Sequence, residues 1–308
     1  MIKRKNKSDS FLKYLKKHYG LYLMLLIPII LYVIFHYIPM GGLAIAFQDY
    51  KLKKGIWGSE FVGLKVFEKV LSSAKFWRAF RNTVWLNFLT LLIGFPAPIL
   101  LALFLNEIRS GIFKKVSQTI MYLPHFISWV MIGGMAIQIF ATENGIINML
   151  LSSIGLSKIP FLSDTVAWTG TYVAISVWQS IGWGAIVYIS AISGIDQEQY
   201  EAARVDGCSR FKMMYKITLP NIFPTVAIMF ILNVGKIASI GLEKPMMLGN
   251  SMVRSASEVL STYSYTVGIE QGNFSVATAI GLFQSVINFT LVICANKISD
   301  KLSGESLW

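Results

Sequence analysis

The sequence is poor in charge and in the side chains that hold metal ions. Only 14% of its 308 residues are charged and 54% are hydrophobic, whereas about a quarter of a typical soluble domain is charged. This composition disfavours a solvated globule, and it excludes a disordered chain because so much apolar surface does not stay dispersed in water. Cys208, Cys294 and the three scattered histidines form no cluster with metal-ligand spacing. We therefore expect neither a disulfide framework nor a metal site.

Several catalytic signatures are also missing. The chain has no GxxxxGK[ST] loop that would hold the phosphates of ATP, so we expect no cofactor in this chain. It has no HExxH or GxSxG motif and no paired carboxylates within its apolar stretches. Membrane protease or lipase chemistry therefore has no residues to use, and we predict that the protein is not an enzyme.

Long apolar segments are what the sequence does contain. A bilayer span needs about 20 mainly apolar residues, and six stretches meet this requirement: 20–47, 82–105, 117–140, 166–190, 218–241 and 275–296. We therefore predict an all-α, polytopic membrane protein with about six transmembrane helices. The first stretch follows a basic head, so a signal peptide cleaved near Ala44 and Ala46 is the alternative. The length of this stretch and the five later spans favour an uncleaved helix.

The net charge of +12 indicates orientation in a membrane protein, because Lys and Arg are enriched in cytoplasmic segments. With a cytoplasmic N-terminus, the inner segments hold 16 of the 28 Lys and Arg residues and the longer outer segments hold 11. Lys236 lies late in the fifth predicted span, where we expect it to reach the outer interface. We predict cytoplasmic N- and C-termini.

The first outer segment is basic, with eight Lys and Arg residues between Lys51 and Arg81. Its apolar residues recur at helical spacing, which predicts a short amphipathic helix on the outer membrane surface. These residues are Phe61, Leu64, Phe67 and Leu71. The segment also suggests a domain boundary: residues 1–78 contain the first span and this loop, and residues 79–308 form a five-helix core.

Glycine and proline interrupt several of the predicted spans. Proline kinks a helix, and lipid tolerates the freed backbone groups only where neighbours or a water-filled cavity satisfy them. Two interpretations stay open, namely close helix packing at small residues or a bundle that bends around a pathway. The residues concerned are Gly94, Pro96, Pro98, Pro124, Gly133, Gly134, Gly182, Gly184, Pro220 and Pro224.

The inner segment 191–216 carries the most specific local pattern. Residues 197–205 lack glycine and proline and favour a helix, and the Asp206-Gly207 pair favours a break with a positive φ. Ser209 can then cap a second short helix whose Phe211, Met214 and Tyr215 are expected on one face. The pattern predicts a helix–turn–helix elbow that docks into a groove of a partner protein.

This segment resembles the EAA loop of binding-protein-dependent ABC importer permeases. The family pattern is EAA, three residues, G, nine residues, then I-x-L-P, and every fixed position is present. The resemblance implies the type I importer permease fold, in which this loop seats in a cytoplasmic ATPase dimer that binds ATP and Mg. It also implies a second homologous permease and an extracytoplasmic solute-binding protein. The residues that it assigns to ATPase coupling are Glu201, Ala202, Ala203, Asp206, Gly207, Ile217, Leu219 and Pro220.

Softer matches resemble the carbohydrate-importer branch of this family. They lie at residues 81–83, 122–129, 145–148 and 261–265, and the C-terminal Gly304–Trp308 resembles permeases for complex oligosaccharides such as aldouronate, rhamnogalacturonan or alginate fragments. The resemblance implies a sugar substrate without choosing which sugar. Cys208 departs from the branch, which usually has Ala there. Because Cys is also small, we expect the packing to survive and both cysteines to be structural thiols.

Candidate substrate contacts are the polar and aromatic side chains within the predicted spans, because sugars need hydrogen bonds and flat aromatic faces. The same side chains also join helices or lie at interfaces, so both roles stay open for each of them. The candidates are His125, Ser128, Trp129, Trp178, Gln179, Trp183, Asn233, Gln284 and Asn288. His125 and Trp129, like Gln284 and Asn288, are four residues apart on one helical face.

Other functions remain alternatives at this point. A permease for a non-sugar solute, a passive channel, an ion-driven carrier and a membrane scaffold are all compatible with six spans. An ion-driven carrier would want acidic residues inside the membrane, and the predicted spans contain none. The charges around Glu201 have a second interpretation too, since Glu198, Glu201, Arg204 and Asp206 are spaced to form solvated helix pairs.

Overall fold

The computed structural model describes residues 14, 16–108, 110–304 and 306. The predicted basic head up to Lys13 and the C-terminal residues Glu305, Leu307 and Trp308 lie outside the described residues. The regular structure is helical apart from one hairpin, as the predicted all-α class requires. Its α-helices are α1 (Tyr19–Tyr32), α2 (Lys65–Leu71), α3 (Ala74–Gly94), α4 (Pro96–Glu107), α5 (Gly111–Tyr122), α6 (Trp129–Phe140), α7 (Ile146–Ser153), α8 (Thr165–Ser193), α9 (Gln197–Val205), α10 (Arg210–Met213), α11 (Leu219–Val234), α12 (Glu243–Leu248), α13 (Arg254–Ser257), α14 (Leu260–Tyr265) and α15 (Phe274–Ser303), with two shorter helical pieces at Ile38–Met40 and Gly55–Gly58.

Five helical stretches in the described part of the chain are long and apolar enough to cross a membrane. A sixth crossing is the pair 111–126 and 129–140, which is bent by 101°. This confirms the prediction of about six spans. The five continuous stretches are Tyr19–Phe47, Ala74–Glu107, Thr165–Ser193, Arg210–Val234 and Phe274–Lys301.

The first span lies at the edge of the bundle. After α1 the chain continues as a π-helical turn (Val33–Tyr37), a short helix and a 3₁₀ segment (Gly41–Phe47), and none of the residues that the structure describes before Ala46 is buried. Only the 3₁₀ segment packs on the core, against α15 and α2. The lipid-facing length of this span therefore depends on its own helical hydrogen bonds and on the bilayer.

The first outer loop differs from its prediction. Residues Gln48–Asp49 (β1) and Glu60–Phe61 (β2) pair as an antiparallel hairpin, which the sequence pattern did not indicate. The predicted amphipathic helix exists as α2, but its buried face is formed by Val66 and Val70. Three of the four residues of the predicted apolar face, Phe61, Leu64 and Leu71, are exposed. The helix is thus held by packing against α15. Phe61 lies in β2 and not in the helix, so its place in the predicted helical spacing is wrong, while contact of the exposed Leu64 and Leu71 with the membrane surface stays a prediction.

Proline and glycine act differently in different spans. The second span stays continuous through a one-residue turn at Phe95, between α3 and α4, whereas the third breaks at the 3₁₀ turn Leu123–Phe126 that contains Pro124. In contrast, α6 continues through Gly133 and Gly134 and α8 continues through Gly182 and Gly184, so these glycines do not interrupt their helices. Gly182 is a point of close packing, because a Cβ there would collide with the Met121 carbonyl.

The fifth span is shorter than predicted. Its helix α11 ends at Val234 rather than at 241, so Lys236 lies beyond the helix and not within it. We call residues 235–259 the return segment, because they fold back against the helical bundle instead of extending away from it. In this segment the Trp168 indole donates a hydrogen bond to the Leu248 carbonyl at 2.7 Å.

Three buried clusters hold the bundle together. One joins α3, α6 and α8 to the return segment around Trp168 and Tyr172. A second joins α2, α3, α14 and α15 around Phe76 and Ile280. The third joins α4, α8 and α11 around Tyr188 and Ile222, and it lies directly beneath the predicted elbow.

Candidate coupling site and translocation pathway

The predicted elbow is present with the expected boundaries. Helix α9 begins after Asp196, whose carboxylate accepts a hydrogen bond from the Glu198 amide at 3.0 Å. Such a cap satisfies an amide that the helix itself leaves free. The prediction of a helix over residues 197–205 is therefore confirmed.

Gly207 ends α9 with a left-handed turn. Its φ is +71°, a conformation that costs other L-residues about 1–2 kcal/mol. The Cys208 amide donates to the Ala203 carbonyl at 2.9 Å, and the Gly207 amide donates to the Arg204 carbonyl at 3.0 Å. This pair of bonds is the Schellman motif, which satisfies the last carbonyls of a helix. The predicted break at Gly207 is confirmed.

Helix α10 starts as expected and leads directly into the membrane helix. Ser209 accepts a hydrogen bond from the Lys212 amide at 3.4 Å, and α10 continues through a π-helical turn, Met214–Thr218, into α11. The Tyr200 hydroxyl lies 2.9 Å from the Thr218 hydroxyl. The elbow is thus tied to the foot of α11 by a side chain of α9 as well as by the backbone.

The inner end of α11 anchors the elbow in the bundle. Ile217 and Leu219 pack against the third buried cluster, and Thr218 is 2% exposed. Pro220 is exposed in the first turn of α11, directly after the π-helical turn, and because proline has no amide hydrogen it donates no bond to that turn. A displacement of the elbow would therefore move α11 and the helices α4 and α8 that pack against it.

The opposite side of the elbow is exposed. Glu201, Ala202, Asp206 and Gly207 are exposed and Ala203 is half-buried. None of the ion pairs of the described residues involves the charges of α9, so the solvated-pair interpretation has no contact to support it there. Apolar side chains of this surface are open as well, namely Val205, Phe211 and Tyr215.

Two details of the elbow extend the predictions. Met214 and Phe211 line one small cavity beside α4, as a shared face requires, and Met214 also packs against the third buried cluster. A cavity of about 900 Å³ opens between the elbow and the end of α4. Glu107 and Arg210, which lie 3.6 Å apart, bridge these elements at its edge.

The break in the third span brings several candidate pathway residues together. The His125 ring stacks on Trp183 with a centroid distance of 4.5 Å, and Gln179 donates a hydrogen bond to the His125 carbonyl at 3.2 Å. Ser128 caps α6 by accepting a hydrogen bond from the Met131 amide at 3.4 Å. The two helices at this bend are therefore fixed against α8 by stacking and hydrogen bonding.

Gln284 and Asn288 act together on the return segment. The Gln284 amide donates to the Ala238 carbonyl at 2.6 Å, and the Asn288 oxygen accepts from the Ala238 amide at 3.2 Å. Both side chains thus satisfy backbone groups that the end of α11 leaves without helical partners. Trp178 lies apart from this group, in an apolar cavity of about 240 Å³ beside α6.

Asn233 lines a small polar cavity of about 170 Å³ next to Lys236. Asn87, which was not among the sequence candidates, lines the same cavity. Its side-chain amide donates to the carbonyls of Lys236, Ile237 and Ser239 at 3.3, 2.8 and 3.0 Å. An asparagine inside an apolar span was the available signal, because a buried amide needs partners.

Lys244 and Tyr172 were also missed as possible site residues. The Lys244 ammonium lies 4.6 Å from the centre of the Tyr172 ring and 5.7 Å from that of Trp129. This places the candidate Trp129 beside a cation of the return segment. Lys244 gave no signal because hydropathy assigned it to a solvated outer loop.

An ion cluster joins α3 to the return segment. Glu258 is 8% exposed and pairs with Arg78 at 2.5 Å and with Arg254 at 2.9 Å. Burial raises the pKa of Glu258, but the hydrogen bonds and charges of the two arginines outweigh it and leave the pKa below its ordinary value. Asn82 of α3 supports the same region by donating to the carbonyls of Ser255 and Glu258.

No group of metal-ligating side chains is found in the described part of the chain. Residues 94–303 match the family described as binding-protein-dependent transport system inner membrane components. The chain belongs to this family. It is a multi-pass membrane permease of an ABC importer, so the passive channel, the ion-driven carrier and the scaffold considered above are set aside.

The permease is similar along its whole length to curated relatives. It is 41% identical over 302 residues to "Protein LplB" of Bacillus subtilis, covering 98% of this chain and 95% of that protein. It is 39% identical over 308 residues to the polygalacturonan/rhamnogalacturonan transport system permease protein YteP of the same organism, covering 100% and 96%. The resemblance suggested by the EAA loop is thus confirmed for the family.

A solved structure shares the fold. A chain of a bacterial ABC transporter involved in the import of the acidic polysaccharide alginate superposes with a TM-score of 0.86 at 37% identity, covering 96% of this permease and 99% of that chain. The same kind of transporter was also solved in complex with its alginate pentasaccharide-bound periplasmic protein, with a TM-score of 0.86 at 38% identity. The type I importer permease fold is therefore that of this chain.

Proposed function

We propose that the permease imports oligosaccharides and that the elbow at residues 197–220 couples it to a cytoplasmic ATPase. The observation that carries the coupling role is that one side of the elbow is anchored to α11 while the other side is free. Ile217 and Leu219 pack against the third buried cluster, whereas Glu201 and Ala202 are exposed. A partner that moves this surface would transmit its motion to the membrane helices.

The exposed surface has the chemistry of a docking helix. The small side chains of Ala202 and Ala203 allow a groove wall to approach α9 closely, and Val205, Phe211 and Tyr215 provide apolar contacts. Glu201 supplies a carboxylate that no described residue neutralises. We assign ATP and Mg to the ATPase partner.

This assignment fixes the proposed orientation and domain roles. Since the ATPase is cytoplasmic, the elbow is inside and the N- and C-termini are inside with it. Residues 79–308 form the core that moves, and residues 1–78 form a peripheral unit that packs on the core through Ala46, Val66 and Val70. Six spans are few to enclose a sugar-sized path, so the chain pairs with a second, homologous permease.

The sugar class is supported by the names of the relatives. One relative is named for polygalacturonan and rhamnogalacturonan transport, and the related solved transporter imports alginate. Its complex with a pentasaccharide-bound periplasmic protein supports delivery of the substrate by a binding protein on the outer side. The aromatic and polar groups at the bend, His125 on Trp183 and Trp129 near Tyr172, are suited to sugar rings and hydroxyls.

The proposed cycle uses these parts in order. A loaded binding protein docks on the outer loops, and ATP binding closes the ATPase dimer. The two elbows then approach each other, α11 and its neighbours move with them, and the pathway opens outward. Hydrolysis of ATP returns the bundle to the inward state. The cycle requires that nucleotide binding favours one of two arrangements of the bundle.

Reconstitution tests the proposal. The permease pair, the ATPase and the loaded binding protein are placed in proteoliposomes, and uptake of labelled oligosaccharide is measured with and without ATP. Uptake should require ATP and should be lost in Glu201→Lys, while Glu60→Lys, the same charge change on the exposed outer hairpin, should transport normally. ATP-independent uptake, or normal ATP-driven uptake by Glu201→Lys, would contradict the proposed coupling.

A further inference from the structure

Lys244 is a cation without a counter-charge. Its ammonium lies over Tyr172 and near Trp129, at 4.6 and 5.7 Å from their ring centres. No carboxylate of the described residues lies within ion-pairing distance of it. The neighbouring Glu243 is exposed, and adjacent residues of a helix do not face each other.

The position of Lys244 is at membrane depth and well fixed. Tyr172 and Trp129 both belong to spans predicted from hydropathy, several residues from their outer ends. Helix α12 is held there by the Trp168 bond to Leu248 and by close packing at Gly133, where an added Cβ would lie 3.0 Å from the Met247 carbonyl. A cation inside a membrane protein is costly unless it has a partner, and it commonly marks a substrate or ion pathway.

A second unpaired cation lies on the same return segment. Lys236 lines the polar cavity of about 170 Å³ together with Asn233 and Ser180. No described carboxylate pairs with Lys236 either. The cavity is bordered by Asn87, which belongs to the second predicted span, and Lys236 is exposed at its edge.

Resting on the proposed function, we propose that Lys244, with Lys236 as a second positive charge, binds carboxylates of uronic-acid oligosaccharides and so selects acidic saccharides. An ammonium offers three hydrogen-bond donors. The Tyr172 ring occupies one side of the Lys244 ammonium, so donors on its other sides are free for a carboxylate. The half-buried Trp129 ring suits the C–H surface of the same sugar, whereas Tyr172 is 1% exposed and holds the ammonium in place. The Tyr172 hydroxyl is buried without a hydrogen-bond partner among the described residues, which is unusual for a buried polar group.

A neutral saccharide would leave both charges uncompensated. A neutral saccharide beside these lysines would displace water from the ammonium groups without supplying an anion, so the two charges would add nothing to its binding. An acidic saccharide exchanges its hydration for charge-assisted hydrogen bonds, which are stronger than neutral ones. The return segment therefore provides selectivity through charge, in addition to the shape of the pathway.

The first test measures which sugars are delivered. Calorimetry on the cognate binding protein uses a panel of trisaccharides of galacturonate, glucuronate and mannuronate, with neutral trisaccharides for comparison. Binding of a uronate is the expected result. Binding of neutral trisaccharides alone would overturn the selection of acidic saccharides and leave the proposed import function intact, whereas binding of no saccharide would overturn both.

The second test uses variants of the complete reconstituted importer and the uronate that binds. Lys244→Gln should lower uptake at sub-saturating substrate by about tenfold or more, because a hydrogen bond to a charged group is lost. Lys244→Arg, which keeps the positive charge, should retain most of the wild-type uptake. Lys16→Gln, which removes an exposed lysine before α1 and away from the outer loops, should transport normally.

Further outcomes decide the proposal. Basal ATP hydrolysis should be unchanged in all these variants, since none lies in the elbow. If Lys244→Gln does not assemble, Lys236→Gln gives the same comparison. Uptake of the uronate at the wild-type rate in either lysine-to-glutamine variant, or equal loss in Lys244→Arg and Lys244→Gln, would overturn the assignment. Loss of ATP-dependent uptake by the unmodified importer would instead contradict the proposed function.

Discussion

The left-handed turn at Gly207 gives a quantitative test of the elbow. Replacing Gly207 by Ala forces an L-residue to adopt a φ of +71°, which costs about 1–2 kcal/mol. The turn also holds two hydrogen bonds that end α9, from Cys208 to Ala203 and from Gly207 to Arg204. A cost of this size shifts the balance between the ordered and the frayed elbow by about 5- to 30-fold.

If the ordered elbow transmits the motion of the ATPase, transport per ATP hydrolysed should fall in Gly207→Ala by a comparable factor. Gly207→Asn should lose less, because Asn tolerates the left-handed region better than Ala. The assay is simultaneous measurement of sugar uptake and phosphate release in proteoliposomes, so that loss of coupling is distinguished from loss of protein.

The same elbow provides a matched control. Gly194 lies before α9 with a φ of −85°, and an added Cβ would meet the Ala191 carbonyl at an ordinary 3.5 Å. Gly194→Ala should therefore leave uptake and its ratio to ATP hydrolysis unchanged. Full coupling in Gly207→Ala, or an equal loss in Gly194→Ala, would refute the reasoning.

Two further predictions concern the ion cluster and the return segment. Glu258→Gln should lower stability by about 1–3 kcal/mol, because the partly exposed arginines at 2.5 and 2.9 Å lose a buried ionic partner; thermal unfolding in detergent measures this. The pKa of Glu258 is lowered in the folded state. Its contribution to stability is therefore complete above the ordinary carboxyl pKa and is lost as the pH falls through the folded pKa. Wild type should lose stability below about pH 4, and Glu258→Gln should lack this step. Asn87→Ala should lower the melting temperature more than Asn233→Ala. The Asn87 side chain bonds to three carbonyls of the return segment, whereas among the described residues Asn233 bonds only to the Met229 carbonyl one turn away. Equal shifts would contradict the role of Asn87.

The elbow could be predicted in detail because its structure is local. Asp196, Gly207 and Ser209 determine where its helices begin and end through their own caps and backbone angles. The number of spans could also be predicted, since the bilayer requires long apolar helices whatever their neighbours are. These features depend on short stretches of sequence and on the solvent.

The errors arose where distant parts of the chain meet. Phe61 was counted into the helix of the first outer loop, but it pairs with Gln48 in the hairpin, and in α2 it is Val66 and Val70 that pack toward α15. The end of α11 is set by Asn87, Gln284 and Asn288, which satisfy the backbone of the return segment from other helices. Hydropathy averaged along the chain does not contain this information.

The pathway candidates illustrate the same limit. His125 and Trp129 were grouped by helical spacing, but the chain breaks between them. As a result His125 stacks on Trp183, whereas Trp129 lies near Lys244. Gln284 and Asn288 do share a face, and in this structure that face supports the return segment. Which of these side chains contact substrate stays a prediction, and the lysine variants address it first.

Site-specific cross-linking at Ala202 tests the central claim most directly. A photoreactive residue at position 202 is compared with one at Lys158 in the second outer loop, in the complete importer with and without ATP. The account predicts an adduct between position 202 and the ATPase whose yield changes with ATP, and no ATPase adduct from position 158. Absence of the ATPase adduct at position 202, or an equal adduct from position 158, would contradict it.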